Sequence, residues 1–275
     1  MPDPTRSISS PALLALHGFS GGGADFDPLI KALPEQEHWL GPDLPGHGVS
    51  SDHPCDPDSM VDFINSQIPH LPSPRILMGY SMGARAALLH ATTYPDCWQA
   101  LVLISARSGI ATKDERVKRH TIDKQRAHEI ISLGLPAFLQ AWQNQPLIRS
   151  QQNIPDEIRT IMQAVRNRHS ASGLARSMRE FGQGSCPNLE PQLHCLKMPV
   201  LLITGENDTP YRHHAETMLP LLVNASHAVI SNAGHMPHLE NLHATARAIK
   251  AFLNDVCRLK HYPNIRSQHS GDRSQ

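Results

Sequence analysis

The pentapeptide Gly79-Tyr80-Ser81-Met82-Gly83 follows the apolar run Ile76-Leu77-Met78 and precedes a stretch that reads as helix. A G-x-S-x-G segment between strand and helix makes a tight turn, because its glycines let the backbone reverse and leave the serine hydroxyl exposed above the sheet edge. The N-terminus of the helix behind the serine favours developing negative charge. Such a serine still needs a base, and the base needs an orienting group. Asp208 lies just past the strand-like run Leu202-Ile203-Thr204-Gly205, and His235 follows Ala233-Gly234 ahead of the last helical pattern. Taken singly, the aspartate reads as a turn residue and the histidine as a surface side chain. Taken in the order Ser81, Asp208, His235, each after a strand, they read as one catalytic set: His235 activates Ser81, and Asp208 fixes the histidine tautomer. An oxyanion site needs two backbone N–H donors. Met82, next to the serine, supplies one; the glycine-rich segment Leu16-His17-Gly18-Phe19-Ser20-Gly21-Gly22-Gly23 offers the Phe19 N–H as the other.

The elements that must position these groups are legible as an alternation of short apolar runs and helical stretches, the pattern of a parallel sheet covered by helices. Strands are expected at residues 12–17, 38–41 (a short one), 75–79, 101–105, 200–204 and 228–231. Helices are expected at 59–68, 82–93, 212–219 and 244–256. The helix at 59–68 has a readable start, with Asp56 as cap, Pro57 in the first turn, and Met60, Ile64 and Ile68 on one face. Between Arg107 and Phe181 the alternation stops and the pattern is helical throughout, with Pro136, Pro146 and Pro155 separating the pieces. The segment 182–199 reads as a connector back to the sheet. The expected organisation is a core from residues 1–106, a helical lid insertion at 107–185, the second part of the core at 186–259, and a disordered tail at 260–275.

The chain has 275 residues, with 25 Lys+Arg against 25 Asp+Glu. That neutrality argues against a general nucleic-acid binder. No apolar run approaches the ~20 residues of a membrane span, and no signal peptide is expected at the N-terminus. Five cysteines without a C-x-x-C pair point to a reducing cytoplasm. Eighteen histidines invite a metal reading, but His213-His214 and the pair His235/His238 lack further ligands at familiar spacing, so no metal is expected. The zero net charge is also uneven. Residues 107–181 carry 13 Lys+Arg and 7 Asp+Glu, a net +6, and the rest carries 12 and 18, a net −6. A basic cover over a serine site points to an anionic substrate, and arginine suits bidentate carboxylate binding.

With His17-Gly18-Phe19, Leu44-Pro45-Gly46-His47-Gly48, the serine pentapeptide, Asp208 and His235 in place, the chain resembles the α/β-hydrolase superfamily over its whole length. The fold this implies is α/β, a mostly parallel sheet with an inserted helical lid. Only eleven residues precede the first strand, too few for the superfamily's usual opening hairpin, so about six strands are expected. Within the superfamily the sequence looks most like the SHCHC synthases of menaquinone biosynthesis (2-succinyl-6-hydroxy-2,4-cyclohexadiene-1-carboxylate synthases). The match is carried by residues 16–21 (L-H-G-F-S-G), 44–48 (L-P-G-H-G) and 79–85 (G-Y-S-M-G-A-R). In the insertion it is carried by 116–123 (R-x-x-R-x-x-x-D), 142–146 (W-Q-N-Q-P), Arg166 and Gly173-Leu174-Ala175. Pro210 departs from it, standing where members often carry a lysine, and no contact is assigned there.

The resemblance implies a lyase that takes a proton from the substrate ring, holds the developing charge in the oxyanion site and releases pyruvate, with Ser81 acting as base. It implies a substrate with three carboxylates, no metal, nucleotide or flavin cofactor, and neither nucleic acid nor membrane as partner, in a monomer or weak homo-oligomer. It also implies substrate contacts from Tyr80, Arg85, Arg119, Trp142 and Arg166. The residues themselves leave alternatives open. Arg85, four residues after Ser81, either points to the same cleft or is a solvated helix side chain. Arg119 can pair with Asp123, Trp142 can be lid core, Tyr80 can simply pack, and Arg166 competes with the nearby Arg168. A serine hydrolase of an anionic ester, lactone or carbon–carbon bond would use the same triad, and a ligand receptor on this fold would show no turnover.

Overall fold

The computed structural model describes residues 11–33 and 38–259. The expected tail at 260–275, and the segment before the first strand up to residue 10, lie outside the described residues. Four apolar runs form the interior of a single sheet whose strands are β1 (Ala12–Leu16), β2 (Trp39–Leu40), β3 (Arg75–Tyr80), β4 (Ala100–Ile104), β5 (Val200–Gly205) and β6 (Ala225–Ile230). Their order is β2-β1-β3-β4-β5-β6, and every neighbouring pair is parallel. The expected six strands are therefore present. The helices are α1 (Asp27–Ala32), α2 (Pro57–Gln67), α3 (Met82–Thr93), α4 (Lys113–Ser132), α5 (Leu135–Gln143), α6 (Asp156–Arg166), α7 (Ala171–Glu180), α8 (Thr209–Met218), α9 (Pro237–Glu240) and α10 (Leu242–Leu259).

Strand side chains alternate between two cores, as a sheet buried on both faces requires. Leu14, Leu77, Leu101 and Leu202 pack towards α2, α3 and α8. Leu13, Met78, Val102 and Ile203 pack towards α1 and α10. Asp56 caps α2 by accepting the Ser59 N–H at 3.1 Å, and Met60 and Ile64 are its buried stripe. The helical insertion, α4 to α7, leaves the sheet after β4 and returns before β5. It has a small core of its own, in which Ala127, Ile130, Phe138, Leu174 and Met178 meet Phe19 and Trp142.

Several expected boundaries shift, each for a physical reason. Pro136 marks the break between α4 and α5 from inside the first turn of α5, where its missing N–H costs nothing. Ser105 lies beyond β4 with φ 48°, turning the chain under the site. The last strand begins three residues before the expected start, at Ala225, because an edge strand with alternating burial shows no continuous apolar run. Among the described residues, no helix is long and apolar enough to cross a membrane.

Candidate active site

Ser81 sits between β3 and α3 with φ 52° and ψ −106°, a conformation that few non-glycine residues adopt. Two glycines make room for it. A Cβ on Gly83 would run into the Leu16 carbonyl, and one on Gly79 into the Gly83 carbonyl, so α3 presses onto the strand ends closer than alanine permits. The turn aims Ser81 Oγ at His235 Nε2, 3.0 Å away. His235 Nδ1–H donates to Asp208 Oδ2 at 2.7 Å, which leaves Nε2 to accept from the serine. Asp208 follows β5 at the start of α8, and His235 lies in the loop after β6; both are 2% exposed. Three residues at three strand ends are thus brought into one hydrogen-bonded line.

The backbone around His235 is tied down from both sides. Ser105 Oγ–H donates to the His235 carbonyl at 2.9 Å. The Glu240 carboxylate accepts the N–H groups of Gly234 and Met236, and the Ser150 hydroxyl from the insertion. The Tyr211 ring lies 4.4 Å from the imidazole. Phe19 and Met82 flank Ser81, and neither backbone N–H donates to a protein group among the described residues. Two amide donors without a protein acceptor thus belong to residues beside the serine hydroxyl.

Ser81 and His235 open on a cleft of about 160 Å³, lined also by Phe19, Arg85, Arg119, Arg126 and Trp142. Arg85 is buried at 8% exposure; it donates to the Phe181 carbonyl at 3.0 Å, while its Nε has no partner. Arg119 pairs with Asp123 at 2.7 Å and donates to Gln183 Oε1 at 2.6 Å, so its structural and cleft-lining positions coexist. Arg126 stacks over Trp142, 5.4 Å from the ring, and burial, then the neighbouring Arg119, hold its guanidinium below the usual value. Among the described residues Arg85 and Arg126 form no ion pair, which leaves uncompensated positive charge around the cleft.

Tyr80 and Arg166 do not line this cleft. They line a smaller pocket of about 40 Å³ that shares Phe19, Ser81, Trp142 and His235 with it. Arg166 donates to Gln151 Oε1 at 2.9 Å there and faces Asp25, whose carboxyl burial pushes up to about 7. Tyr80 packs against His238, ring centroids 4.6 Å apart, and burial keeps its phenol well above the ordinary value. Among the described residues, no group of three or more His, Cys, Asp or Glu side chains converges to hold a metal ion.

Residues 13–248 match the Alpha/beta hydrolase family. A protein of Photorhabdus laumondii subsp. laumondii named 2-succinyl-6-hydroxy-2,4-cyclohexadiene-1-carboxylate synthase is 31% identical over 89% of this chain and 86% of its own length. The protein of that name in Salmonella typhimurium is 30% identical over 84% and 89%. The chain belongs to the SHCHC synthase group of the α/β-hydrolase family. The structure of MenH from S. aureus superposes on this α/β hydrolase with a TM-score of 0.83 at 28% identity, covering 92% of this chain and 96% of that one. A thermophilic esterase from Thermogutta terrifontis shares the fold at a TM-score of 0.76 and 24% identity.

Sequence reasoning missed Arg126, Gln183, Tyr211 and Glu240 in this α/β hydrolase. Arg126 had a usable signal: Arg119 and Arg126 are seven residues apart, two turns along one face of α4. Gln183 and Tyr211 had none. They meet, Gln183 donating to the Tyr211 hydroxyl at 2.9 Å, only because the connector after α7 folds over α8.

Proposed function

We propose that this chain is a cytoplasmic carbon–oxygen lyase that converts 2-succinyl-5-enolpyruvyl-6-hydroxy-3-cyclohexene-1-carboxylate to 2-succinyl-6-hydroxy-2,4-cyclohexadiene-1-carboxylate and pyruvate. The observation that carries the reading is the conjunction of the Ser81–His235 hydrogen bond with three arginines around the same cleft. Ser81, its proton drawn to His235 Nε2, takes the acidic ring hydrogen next to the succinyl ketone. The electron pair moves onto the ketone oxygen, held by the Phe19 and Met82 amides. When the charge returns, a double bond forms between ring carbons 2 and 3, the existing 3,4 double bond moves to carbons 4 and 5, the bond from carbon 5 to the enolpyruvyl oxygen breaks, and the departing enolate takes a proton and becomes pyruvate. Ser81 keeps the ring proton and His235, holding the proton drawn from the serine, is the group placed to deliver it to the enolate, so no net proton or electron is needed.

Arg85, Arg119 and Arg126 bind the substrate carboxylates, with Trp142 as an apolar wall; Arg166 and Tyr80 bound the adjoining pocket. Residues 107–185 act as a lid whose α4 and α5 cover the cleft. A positioned base contributes roughly 10²–10⁴-fold and an oxyanion donor roughly 10²–10³-fold. Incubation with the enolpyruvyl substrate should release stoichiometric pyruvate, and Ser81→Ala should lower kcat by at least 10²-fold. Absence of pyruvate together with rapid p-nitrophenyl ester cleavage through an acyl-enzyme burst would assign a hydrolase instead.

A further inference from the structure

Three histidines outside the catalytic set converge on the loop that carries the Phe19 amide. His17 Nδ1–H donates to the Gly18 carbonyl at 2.8 Å, His47 Nε2 accepts the Ser20 N–H at 3.2 Å, and His169 Nε2–H donates to the Ser20 carbonyl at 3.1 Å. These contacts pin three successive peptide planes. The Gly18 carbonyl belongs to the same trans unit as the Phe19 N–H and points opposite to it, so anchoring one aims the other. Ser20, held from both sides, has φ 61°.

The other ring nitrogens are also engaged. His17 Nε2 accepts the Leu44 N–H at 2.8 Å, His47 Nδ1–H donates to the Pro45 carbonyl at 3.1 Å, and His169 Nδ1 accepts the Gly48 N–H at 3.0 Å. Each ring therefore donates once and accepts once from backbone, an arrangement that only a neutral imidazole satisfies. His17 and His47 come from the core, whereas His169 comes from the insertion, between α6 and α7.

We propose that His169 is a positioning residue that makes the oxyanion site depend on a seated insertion, because the insertion holds the Ser20 carbonyl, whose peptide unit donates through the Gly21 N–H to the Gly18 carbonyl at 3.0 Å and so braces the unit that carries the Phe19 amide. The inference rests on the reading of that amide as an oxyanion donor. The groups facing His169 are the His47 ring at 5.3 Å, His17, Asp43, Arg168 and Arg166. Burial first, then the two arginines, lower its pKa below 6.5, against the opposing pull of the Ser20 carbonyl and Asp43. Asp43 ties the same three segments together, accepting the Gly23 and Val49 N–H groups and pairing with Arg168 at 3.5 Å.

His169→Phe keeps an aromatic ring and removes both hydrogen bonds; His169→Gln can restore a donor and an acceptor. For the phenylalanine variant, kcat for pyruvate release should fall on the order of 10²-fold with KM within threefold, and the glutamine variant should recover most of it. The acid limb of kcat should be steeper in the wild type, where His169 can take up a proton, than in His169→Gln. Nitrogen-15 spectra of the wild-type rings at pH 7 should show His169 neutral with the proton on Nε2. That spectrum needs no substrate. Should the wild type release no pyruvate, the same variants are compared in p-nitrophenyl ester cleavage, which draws on the same amide. A kcat within twofold of wild type, a loss confined to KM, or a charged or Nδ1-protonated His169 at pH 7 would overturn the assignment.

Discussion

Arg119 and Arg126 look alike along α4, yet their environments separate them. Arg119 is tied to Asp123, whose carboxylate is fully buried and, among the described residues, otherwise accepts only the Gly184 N–H, at 2.9 Å. Removing Arg119 strands a buried charge and must damage the insertion as well as the cleft. Arg126 rests on Trp142 and reaches Gln145 only at 3.5 Å, so it is the cleaner probe of substrate charge. Arg126→Ala should lower kcat/KM by about 10- to 150-fold, the loss of a charged hydrogen bond of roughly 1.5–3 kcal/mol, with the melting temperature unchanged. Arg119→Ala should lower both; steady-state kinetics beside thermal unfolding separates the two. The hydrogen-bonded set of Ser81, Asp208 and His235 was readable in sequence because each follows a strand and their order along the chain matches that of the sheet. Gln183 and Tyr211 were not, because their meeting depends on how the connector after α7 folds over α8, which periodicity does not encode.

Among the elements, the junction of β3 and α3 concentrates the most constraint. The close approach of α3 to β1 rests on Gly83, where any side chain meets the Leu16 backbone and not a flexible tip. Gly83→Ala should therefore destabilise the protein by about 1–3 kcal/mol, read from a lower urea midpoint, and should cost activity beyond that, since Met82 N–H moves with the helix. An unchanged midpoint would show that the helix can slide without penalty. The interior strands were legible as apolar runs because both faces are buried, and α3 was legible to the residue, from 82 to 93. The start of α8 was missed by three residues because Thr209-Pro210 reads as a loop until Asp208 is recognised as the residue preceding the helix. The clasp of His17, His47 and His169 was invisible, since the residues it joins are up to 149 positions apart.

Viewed entire, the protein keeps most of its buried imidazoles neutral. Burial holds His17 at about 4 and His238 at about 3, and lowers His47, His90 and His169 as well. The unfolded chain binds these protons near pH 6.5 and the folded chain does not, so stability is present above pH 6.5 and drains away as pH falls towards 4. Each fully buried ring adds roughly 1 kcal/mol per pH unit to that slope. Asp25, raised to about 7, works in the opposite sense, favouring the folded state at low pH and losing that contribution as pH rises from about 4 to 7. One carboxyl against several rings leaves a net loss on acidification, so urea midpoints should fall steadily from pH 7 to 4.5; a flat profile would contradict the buried neutral rings. The neutral total charge divides into a net +6 over residues 107–181 and a net −6 over the rest of the chain. The insertion also separates β4 from β5, its sheet neighbour, by about 95 residues. At translation rates of ~5–20 residues per second, the newly made Ala-Leu-Val-Leu-Ile strand waits roughly 5–20 seconds at the ribosome with an open, wholly apolar edge. In that interval the strand lacks the neighbour that closes its edge, and Asp208 and His235, the partners of Ser81, have not yet been synthesised.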